Sequence, residues 1–376
     1  MSPMPDPVKI AADLICLDTI NPPGGEEAAA RYLGDLLAQR GLATDYYELE
    51  PHRAGLVATL AGTGGRPALV FTGHLDTVPL GNAAWSFGAH CGEVKDGCLL
   101  GRGSSDMKSG VAAMAAAAVA LAGEGAGEAD LVFVFTAAEE TGCQGAEQMA
   151  AGGKLPAQAG ALLVAEPTNN VPFLGHKGAL WLEATARGKS AHGSMPDMGD
   201  NAIYKAARAA AGLEQLFAEA PAHAQLGKPT VNVGTFHGGS KINMVPDLAV
   251  FQVDLRTVPG VEHDELFARV AGQLGPDIAL ERLIDLPGFL TPAEEPWAAR
   301  VLALLEREQG RPPQPGYVND FTDASVLRPA LGNPPTVILG PGLPGQAHQT
   351  DEFCETAKIV EAAELYLALA REWQGR

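Results

Sequence analysis

Strand-like apolar runs that lead directly into metal-binding residue types constrain this chain more than any other feature. The clearest run, residues 131–136, precedes two adjacent glutamates, Glu139 and Glu140. Unpaired charge at the end of a buried strand is costly, so this carboxylate pair requires a cation or a proton. Three other runs lead into candidate ligands in the same way: 69–73 into His74 and Asp76, 162–165 into Glu166, and 337–340 into His348. Ligands of open α/β sheets collect at the carboxyl ends of strands, which predicts one shared site.

The order of the predicted elements indicates an α/β protein with two domains. At 376 residues the chain exceeds the usual size of a single hydrophobic core. Strands alternate with helices in residues 1–176 and again in 289–376, which predicts a mostly parallel sheet covered by helices. Residues 177–288 instead follow the order βαββαβ, the ferredoxin-like arrangement of a self-contained small domain. We therefore expect a discontinuous catalytic domain with the smaller domain inserted, and His348 returns to the first sheet with the chain.

Charge and composition exclude several classes of partner. The net charge of −19 argues against nucleic acids and anionic membranes as partners, and no apolar stretch has the length of a membrane span. The N-terminal segment has no basic stretch before an apolar one, so we expect no secretory signal. Five cysteines without a framework spacing predict free thiols in a reducing compartment. These features together predict a cytoplasmic protein.

Five candidate metal ligands occupy loops that follow strands or precede a helix: His74, Asp106, Glu140, Glu166 and His348. Imidazole and carboxylate ligands without cysteine suit Zn²⁺, Co²⁺ or Mn²⁺. Five ligands are too many for one catalytic zinc with an open position, but they are natural for two metal ions bridged by a carboxylate. We expect Asp106 to be the bridge, because the glycine-rich loop 101–106 can fold tightly over the metals. Asp76 is placed to orient the His74 imidazole through its carboxylate.

The two adjacent glutamates require separate roles. Neighbouring side chains in extended or loop backbone point in different directions, so one can bind a metal while the other faces the attacking water. We assign Glu140 as the ligand and Glu139 as the general base, because a base must be free to move a proton. Their spacing in the sequence does not by itself rank the two.

Ordered motifs that span nearly the whole chain resemble those of the acetylornithine deacetylase and succinyl-diaminopimelate desuccinylase family, to which carboxypeptidase G and aminoacylase are related. They are Gly-His-Leu-Asp-Thr-Val-Pro at 73–79, Gly-Arg-Gly-Ser-Ser-Asp-Met-Lys-Ser-Gly at 101–110, Ala-Glu-Glu-Thr-Gly at 138–142, Glu-Pro at 166–167 and Gly-Lys-Ser-Ala-His at 188–192. The resemblance implies two zinc ions on the five candidate ligands, with Asp106 as bridge and Glu139 as general base. It also implies a cis peptide bond between Asp106 and Met107.

The same resemblance gives roles to residues of the inserted domain, which it makes a lid and dimerisation domain. It implies a homodimer in which His192 reaches the partner's active site and stabilises the oxyanion. Asn243 and Arg256 match positions that hold the substrate's free carboxylate, a task that suits the planar fork of arginine.

A further segment departs from the family pattern. The resemblance places Thr322 and Asp323 at the substrate. Just before them, Asp320 and Phe321 put a charge and a ring where small residues are common. This departure concerns the substrate pocket and leaves the metal site unaffected.

Together these residues predict a dinuclear metallo-hydrolase that cleaves the amide bond of an N-acyl amino acid with a metal-activated water and Glu139 as base. The resemblance suggests substrates of the acetylornithine or succinyl-diaminopimelate type. A carboxypeptidase or dipeptidase is the alternative, since the leaving group is an amine in either case. A non-catalytic metal-binding relative is a different class that predicts a missing base or ligand, and none is missing here.

Overall fold

The computed structural model describes residues 4–376, which form two compact units. The larger unit comprises the chain up to Gly175, Leu290–Gly316 and Thr322–Arg376, and the smaller comprises His176–Phe289 and Tyr317–Phe321. The smaller unit thus includes a second segment, 317–321, that the sequence-based boundaries assigned to the catalytic domain.

Helices and strands alternate along most of the described chain. The helices are α1 (Pro7–Ile15), α2 (Glu27–Ala38), α3 (Ser109–Ala122), α4 (Gln144–Ala151), α5 (Ala202–Leu213), α6 (His263–Leu274), α7 (Pro296–Gln309), α8 (Ala324–Ala330) and α9 (Thr356–Trp373). The strands are β1 (Ala43–Glu50), β2 (Arg53–Leu60), β3 (Arg66–His74), β4 (Val94–Lys95), β5 (Cys98–Leu100), β6 (Ala129–Thr136), β7 (Ala159–Val164), β8 (Phe173–His176), β9 (Gly178–Arg187), β10 (Thr230–Gly238), β11 (Leu248–Thr257), β12 (Ile278–Leu286), β13 (Phe289–Leu290), β14 (Gly316–Val318), β15 (Thr336–Ile338) and β16 (Phe353–Glu355).

The larger unit is built on a mixed sheet whose centre is parallel. Its strands follow the order β1-β2-β6-β3-β7-β15-β8. Strands β6, β3, β7 and β15 pair in parallel, whereas β1 with β2, β2 with β6, and β15 with β8 pair antiparallel. Strands β3 and β6 are buried over most of their length, as expected for the centre of an α/β sheet. The predicted α/β class is confirmed, with antiparallel pairs added at the edges.

Helix α3 forms the centre of the helical layer of this unit. Its alanine-rich stretch, residues 112–118, is buried on every side, and the helix packs against α1 and α9. Small side chains permit this close approach of helices. Within the same core, the rings of Phe71 and Phe133 stack at 5.2 Å, and the Tyr366 hydroxyl donates to the Leu339 carbonyl at 2.5 Å.

The smaller unit is an antiparallel sheet with two helices. Its strand order is β10-β11-β9-β12, and all three pairs are antiparallel. Apolar residues of β9, β11, α5 and α6 form one buried core that includes Leu180, Phe251 and Leu266. The succession β9-α5-β10-β11-α6-β12 is the predicted βαββαβ order, so the ferredoxin-like prediction is confirmed.

The structure also bears on the predictions about membranes and thiols. Within residues 4–376, no helix is both long and apolar enough to cross a lipid bilayer. The cysteines at 16, 91, 98, 143 and 354 are free thiols, as predicted.

Candidate metal centre

The candidate ligands gather where the parallel strands of the larger unit end. Strand β3 ends at His74, β6 is followed by Glu139 and Glu140, β7 by Glu166, and β15 by the loop that carries His348. Because these strands are neighbours and run in parallel, their carboxyl ends lie at one edge of the sheet. The candidate ligands that follow separate strands in the sequence therefore lie close together in the structure.

Asp106 lies between two histidines, each of which has its own glutamate. The His74 Nε2 atom is 3.1 Å from Asp106 Oδ1 and 3.7 Å from Glu166 Oε1. On the other side, His348 Nε2 is 3.5 Å from Asp106 Oδ2 and 3.1 Å from Glu140 Oε2. One carboxylate oxygen thus faces each histidine, which is the geometry of a bridging carboxylate.

The distances between ligand atoms are short enough for metal binding. The atoms offered by His74, Asp106 and Glu140 all lie within 4.8 Å of one another, and so do those of His74, Glu139 and Glu166. Glu139 therefore also lies at ligand distance. It is 5% exposed and follows Ala138, whose φ of 59° lies in the left-handed region. Glu140 faces His348, whereas Glu139 lies beside His74 and Glu166.

The three glutamates of this cluster are costly to ionise where they are, whereas Asp106 is not. Burial raises the pKa of Glu139 and Glu166 well above 4.5, and neighbouring carboxylates add to the effect. Burial likewise raises the pKa of Glu140. For Asp106 burial acts in the same direction, but hydrogen bonds with His348 and His74 outweigh it and lower its pKa.

The two histidines of the cluster have raised pKa values. Hydrogen bonds to Asp106 and Glu140 raise the pKa of His348 to about 10. Burial acts to lower the pKa of His74, but Glu166 and Asp106 raise it well above 6.5. The cluster therefore favours bound cations, whether protons or metal ions.

The donor set fits divalent metal ions. It consists of imidazole nitrogens and carboxylate oxygens, with no sulfur ligand. The Glu140 Oε1 atom is buried and has no hydrogen-bond partner in the described part of the chain, although buried carboxylate oxygens are normally paired. A metal ion at this position would satisfy that oxygen.

Asp76 supports the cluster in a way that differs from the prediction. The backbone carbonyl of Asp76 lies 2.9 Å from His74 Nδ1, and this contact fixes the imidazole ring. The Asp76 carboxylate is 3.7 Å from His74 Nδ1. The carboxylate instead accepts hydrogen bonds from the backbone N–H of Glu139 at 3.1 Å, from that of Glu140 at 3.2 Å, and from Asn21 Nδ2 at 2.9 Å. Asp76 thus holds the glutamate pair through its side chain and the imidazole through its backbone.

Glu352 holds the loop that carries Asp106 and was missed in the sequence. Its carboxylate is fully buried and accepts hydrogen bonds from Arg102 and from the backbone N–H groups of Gly103, Ser105 and Asp106. Gly103, at a φ of 85°, adopts the left-handed backbone that this tight loop requires. Glu352 lies four residues after His348, so its hydrogen bonds join the segment that carries His348 to the loop that carries Asp106.

The peptide bond between Asp106 and Met107 is cis, as the resemblance implied. Met107 is fully buried, and its sulfur lies 3.2 Å from the backbone nitrogen of His74. Met107, which follows Asp106, therefore packs against the end of strand β3, which carries His74.

Thr322 and Asp323, which the resemblance places at the substrate, lie at the start of α8. They are 3% and 2% exposed, and the Thr322 hydroxyl accepts from the backbone N–H of Ala324 at 3.2 Å. The Asp323 carboxylate accepts a short hydrogen bond from the Thr136 hydroxyl. Burial raises its pKa to about 6. Both side chains are used inside the larger unit at the start of α8, which the sequence did not reveal.

In the smaller unit, His192 and Asn243 line the same open pocket of about 370 Å³, together with Ser190 and Lys241. The backbone N–H of Ser194 donates to His192 Nδ1 at 3.1 Å. Because Nδ1 accepts a hydrogen bond, the proton of the neutral ring belongs on Nε2. Nε2 is then the donor that His192 can offer to an anion.

Arg256 is held in a fixed orientation within the smaller unit. Its Nε donates to both oxygens of Asp254 at 2.9 and 3.2 Å, and Asp254 also accepts from Trp181 Nε1 at 2.9 Å. The guanidinium lies 5.9 Å from the ring of Trp181 and 5.8 Å from that of Phe321. Phe321 thus belongs to the surroundings of Arg256, and the terminal nitrogens of the guanidinium remain available for a carboxylate.

Comparisons with known proteins show the family of this chain. A family model described as peptidase family M20/M25/M40 matches residues 70–372. The chain is 30% identical over 403 residues to a probable succinyl-diaminopimelate desuccinylase of Staphylococcus epidermidis, with 96% of each chain covered. It is 33% identical over 344 residues to an acetylornithine deacetylase of Vibrio vulnificus, covering 88% of this chain and 87% of that one.

Solved structures share the fold. A tripeptidase from Staphylococcus aureus matches with a TM-score of 0.74 at 24% identity, covering 99% of this chain and 98% of the other. A metallo-carboxypeptidase from Sulfolobus solfataricus matches with a TM-score of 0.80 at 16% identity, covering 99% of this chain and 100% of the other. At these identities the likeness concerns the fold alone.

Proposed function

Because this chain belongs to peptidase family M20/M25/M40 and is thus a metallohydrolase of carbon–nitrogen bonds, we propose that it removes the acyl group from an N-acyl amino acid. The observation that carries the proposal is the placement of Asp106 between His74 and His348, with Glu139 buried beside them. The two relatives named after deacylation, a desuccinylase and a deacetylase, favour a substrate of the acetylornithine or succinyl-diaminopimelate type.

The five candidate ligands would hold two divalent metal ions. His74 with Glu166 would bind one and His348 with Glu140 the other, and Asp106 would contact both. Zn²⁺ is our first choice for this donor set, and Co²⁺ or Mn²⁺ also suit it. When bound, the ions supply Lewis acidity toward the substrate carbonyl and the attacking water.

Glu139 is proposed as the general base. Its burial and raised pKa suit a group that takes a proton from water and later releases it to the leaving amine. The backbone of the glutamate pair is held by the Asp76 carboxylate, so Glu139 keeps a defined position while its own carboxylate remains free to exchange a proton. Glu140, which faces His348 at 3.1 Å, is proposed as the ligand of the pair.

The smaller unit would supply oxyanion and carboxylate recognition. We propose that His192, with its Nε2 proton available, donates to the tetrahedral oxyanion across a homodimer, in the partner's site. Arg256 would bind the substrate's carboxylate through its terminal nitrogens, and Asn243 would add a hydrogen bond. The local positive charge of Arg256 is needed because the net charge of −19 otherwise repels an anionic substrate.

A dipeptidase or carboxypeptidase activity is the second candidate. Asp320 is exposed next to Phe321, whose ring contacts Arg256. That carboxylate suits the amino group of a peptide substrate, and the metals and base would be the same in either reaction.

Hydrolysis of a matched panel by the zinc-loaded protein tests the proposal. The panel contains N-acetyl, N-succinyl and N-formyl amino acids together with dipeptides of the same residues. We expect faster turnover of the acyl amino acids, and full loss of activity in a chelator with recovery on adding Zn²⁺. Faster cleavage of dipeptides would select the second candidate, whereas metal binding without any turnover would indicate a non-catalytic relative.

A further inference from the structure

We infer that Asn21 and Glu26, in the loop between α1 and α2, position the turn that carries Glu139 and Glu140. The inference rests on the proposed roles of these two glutamates as base and ligand. The loop precedes the turn by more than a hundred residues, and its contacts with the turn are hydrogen bonds between buried or partly buried groups.

Glu26 contacts the backbone at the start of this turn. Its side chain is fully buried, and its Oε1 atom accepts from the backbone N–H of Ala138 at 3.2 Å. The same oxygen accepts from Arg53 Nη2 at 2.6 Å, and Oε2 accepts from Arg53 Nε at 3.0 Å and from the Gly25 N–H at 2.9 Å. The paired guanidinium fixes the carboxylate in two places, so the acceptor offered to Ala138 is rigid.

Asn21 contacts Thr141, at the other end of the turn, and Asp76, which holds the middle of the turn. Its Nδ2 atom donates to Asp76 Oδ2 at 2.9 Å and to the Thr141 hydroxyl at 3.0 Å. The Asp76 carboxylate in turn accepts from the N–H groups of Glu139 and Glu140. Asn21 therefore orients the carboxylate on which both glutamates depend.

Three consecutive backbone N–H groups are thus held by two buried carboxylates: Ala138 by Glu26, and Glu139 and Glu140 by Asp76. Ala138 has a φ of 59°, which an L-residue other than glycine rarely adopts. Such a conformation persists only where the surrounding contacts over-determine it. Loss of the Glu26 contact would let the turn relax and move both side chains from their positions.

The charge of the Arg53–Glu26 pair also suits this role. A rigid acceptor near the cluster normally adds negative charge to a site that already holds several carboxylates. Here the guanidinium of Arg53, with its side chain 10% exposed, neutralises Glu26 directly. The loop therefore supplies a fixed hydrogen-bond acceptor without raising the electrostatic cost of the site.

Glu26→Gln is the first test, because every partner of this carboxylate is a donor. With the amide nitrogen at the Oε1 position, Ala138 and Arg53 Nη2 lose their acceptor. With it at the Oε2 position, Gly25 and Arg53 Nε lose theirs, and one guanidinium nitrogen instead of two holds the acceptor of Ala138. We expect kcat to fall about 10- to 100-fold with KM little changed, and Zn²⁺ affinity measured by calorimetry to fall by a similar factor.

Glu124→Gln is the matched control. Glu124 is also paired with a bidentate arginine, Arg371, at 2.5 and 3.2 Å in the larger unit, but it has no contact with the turn. This variant should keep wild-type kcat and Zn²⁺ affinity. Equal losses in both variants, or wild-type values for folded Glu26→Gln, would overturn the inference.

A milder variant serves if Glu26→Gln does not fold. Asn21→Ala removes two hydrogen bonds without unpairing a buried charge, and it should lower kcat while KM stays unchanged. Wild-type kcat in this variant would overturn the inference. Inactivity of the wild-type protein on every substrate of the panel would instead refute the proposed function, so the two failures are distinguishable.

Discussion

Replacing Glu352 by glutamine tests how the loop that carries Asp106 is held. One oxygen of this buried carboxylate accepts from Arg102 Nη1 at 2.7 Å and from the Gly103 N–H at 3.0 Å. The other accepts from the N–H groups of Ser105 at 2.7 Å and Asp106 at 3.0 Å. Because every partner is a donor, the NH₂ group of a glutamine would face two donors in either orientation.

The expected cost follows from that geometry. A buried donor left without an acceptor costs about 1–3 kcal/mol, so two of them predict a loss of about 2–6 kcal/mol in the free energy of unfolding. That is a large share of the roughly 5–15 kcal/mol by which proteins are stable. Since the loop carries Asp106, Zn²⁺ affinity should also fall by about 10- to 100-fold.

Urea denaturation and calorimetric titration with Zn²⁺ measure these two quantities. Glu124→Gln again provides the control, because it disturbs a paired carboxylate away from the loop and should leave Zn²⁺ affinity unchanged. A folded Glu352→Gln protein with wild-type unfolding free energy and wild-type Zn²⁺ affinity would refute the reasoning.

Three further predictions concern recognition, pH and assembly. Arg256→Lys should lower kcat/KM roughly 10- to 100-fold for an N-acyl amino acid but not for its carboxamide. Phe321→Leu should have a smaller effect of the same kind. Equal losses on both substrates would contradict carboxylate recognition. Burial raises the pKa of Asp323 from 3.8 to about 6, so between these pH values the folded protein keeps a proton there that the unfolded chain loses. Below this range the proton stabilises the folded state by about 3 kcal/mol, and this contribution disappears as pH rises through about 6. The unfolding free energy of wild type relative to Asp323→Asn, measured in chelator, should fall by that amount between about pH 4 and pH 7, and a constant difference would exclude the assignment. Mixed dimers of His192→Ala and Glu139→Gln should regain part of the activity, and inactive verified heterodimers would argue against action across the dimer.

Long elements were predictable because their periodicity and end signals are local. Apolar residues at helical spacing over 26–39, followed by Gly41, predict a helix, and the segment is helical over Glu27–Ala38. The N-cap of α1 is equally legible, since Asp6 accepts from the Val8 N–H at 2.9 Å and Pro7 occupies the first turn. The strand ends before Glu139 and Glu166 followed from apolar runs that stop abruptly.

Shorter elements were not predictable from the pattern. Strands β8, β13, β14 and β16 have between two and four residues, too few to show an alternation. Helix α8 contains Pro329, which in a sequence argues against a helix, and its start buries Asp323. The sequence pattern does not show this burial.

The residues that support the site were missed because their partners are distant in sequence. Glu26 bonds to the N–H of Ala138, 112 residues away, and Glu352 bonds to a loop almost 250 residues earlier. A single glutamate in a loop resembles a solvated side chain, and only the tertiary fold shows that it is buried. The ligand types themselves were recognisable because imidazole and carboxylate groups coincide at several strand ends, although each group alone has other uses.

The division of labour between Glu139 and Glu140 is the central claim, and a pair of isosteric variants tests it most directly. Metal content and kcat of Glu139→Gln and Glu140→Gln are measured side by side on Zn²⁺-loaded protein. We predict that Glu139→Gln keeps both metal ions while kcat falls by about 100-fold or more, and that Glu140→Gln loses metal. Retained turnover in Glu139→Gln, or loss of metal from that variant with full binding in Glu140→Gln, would contradict the account.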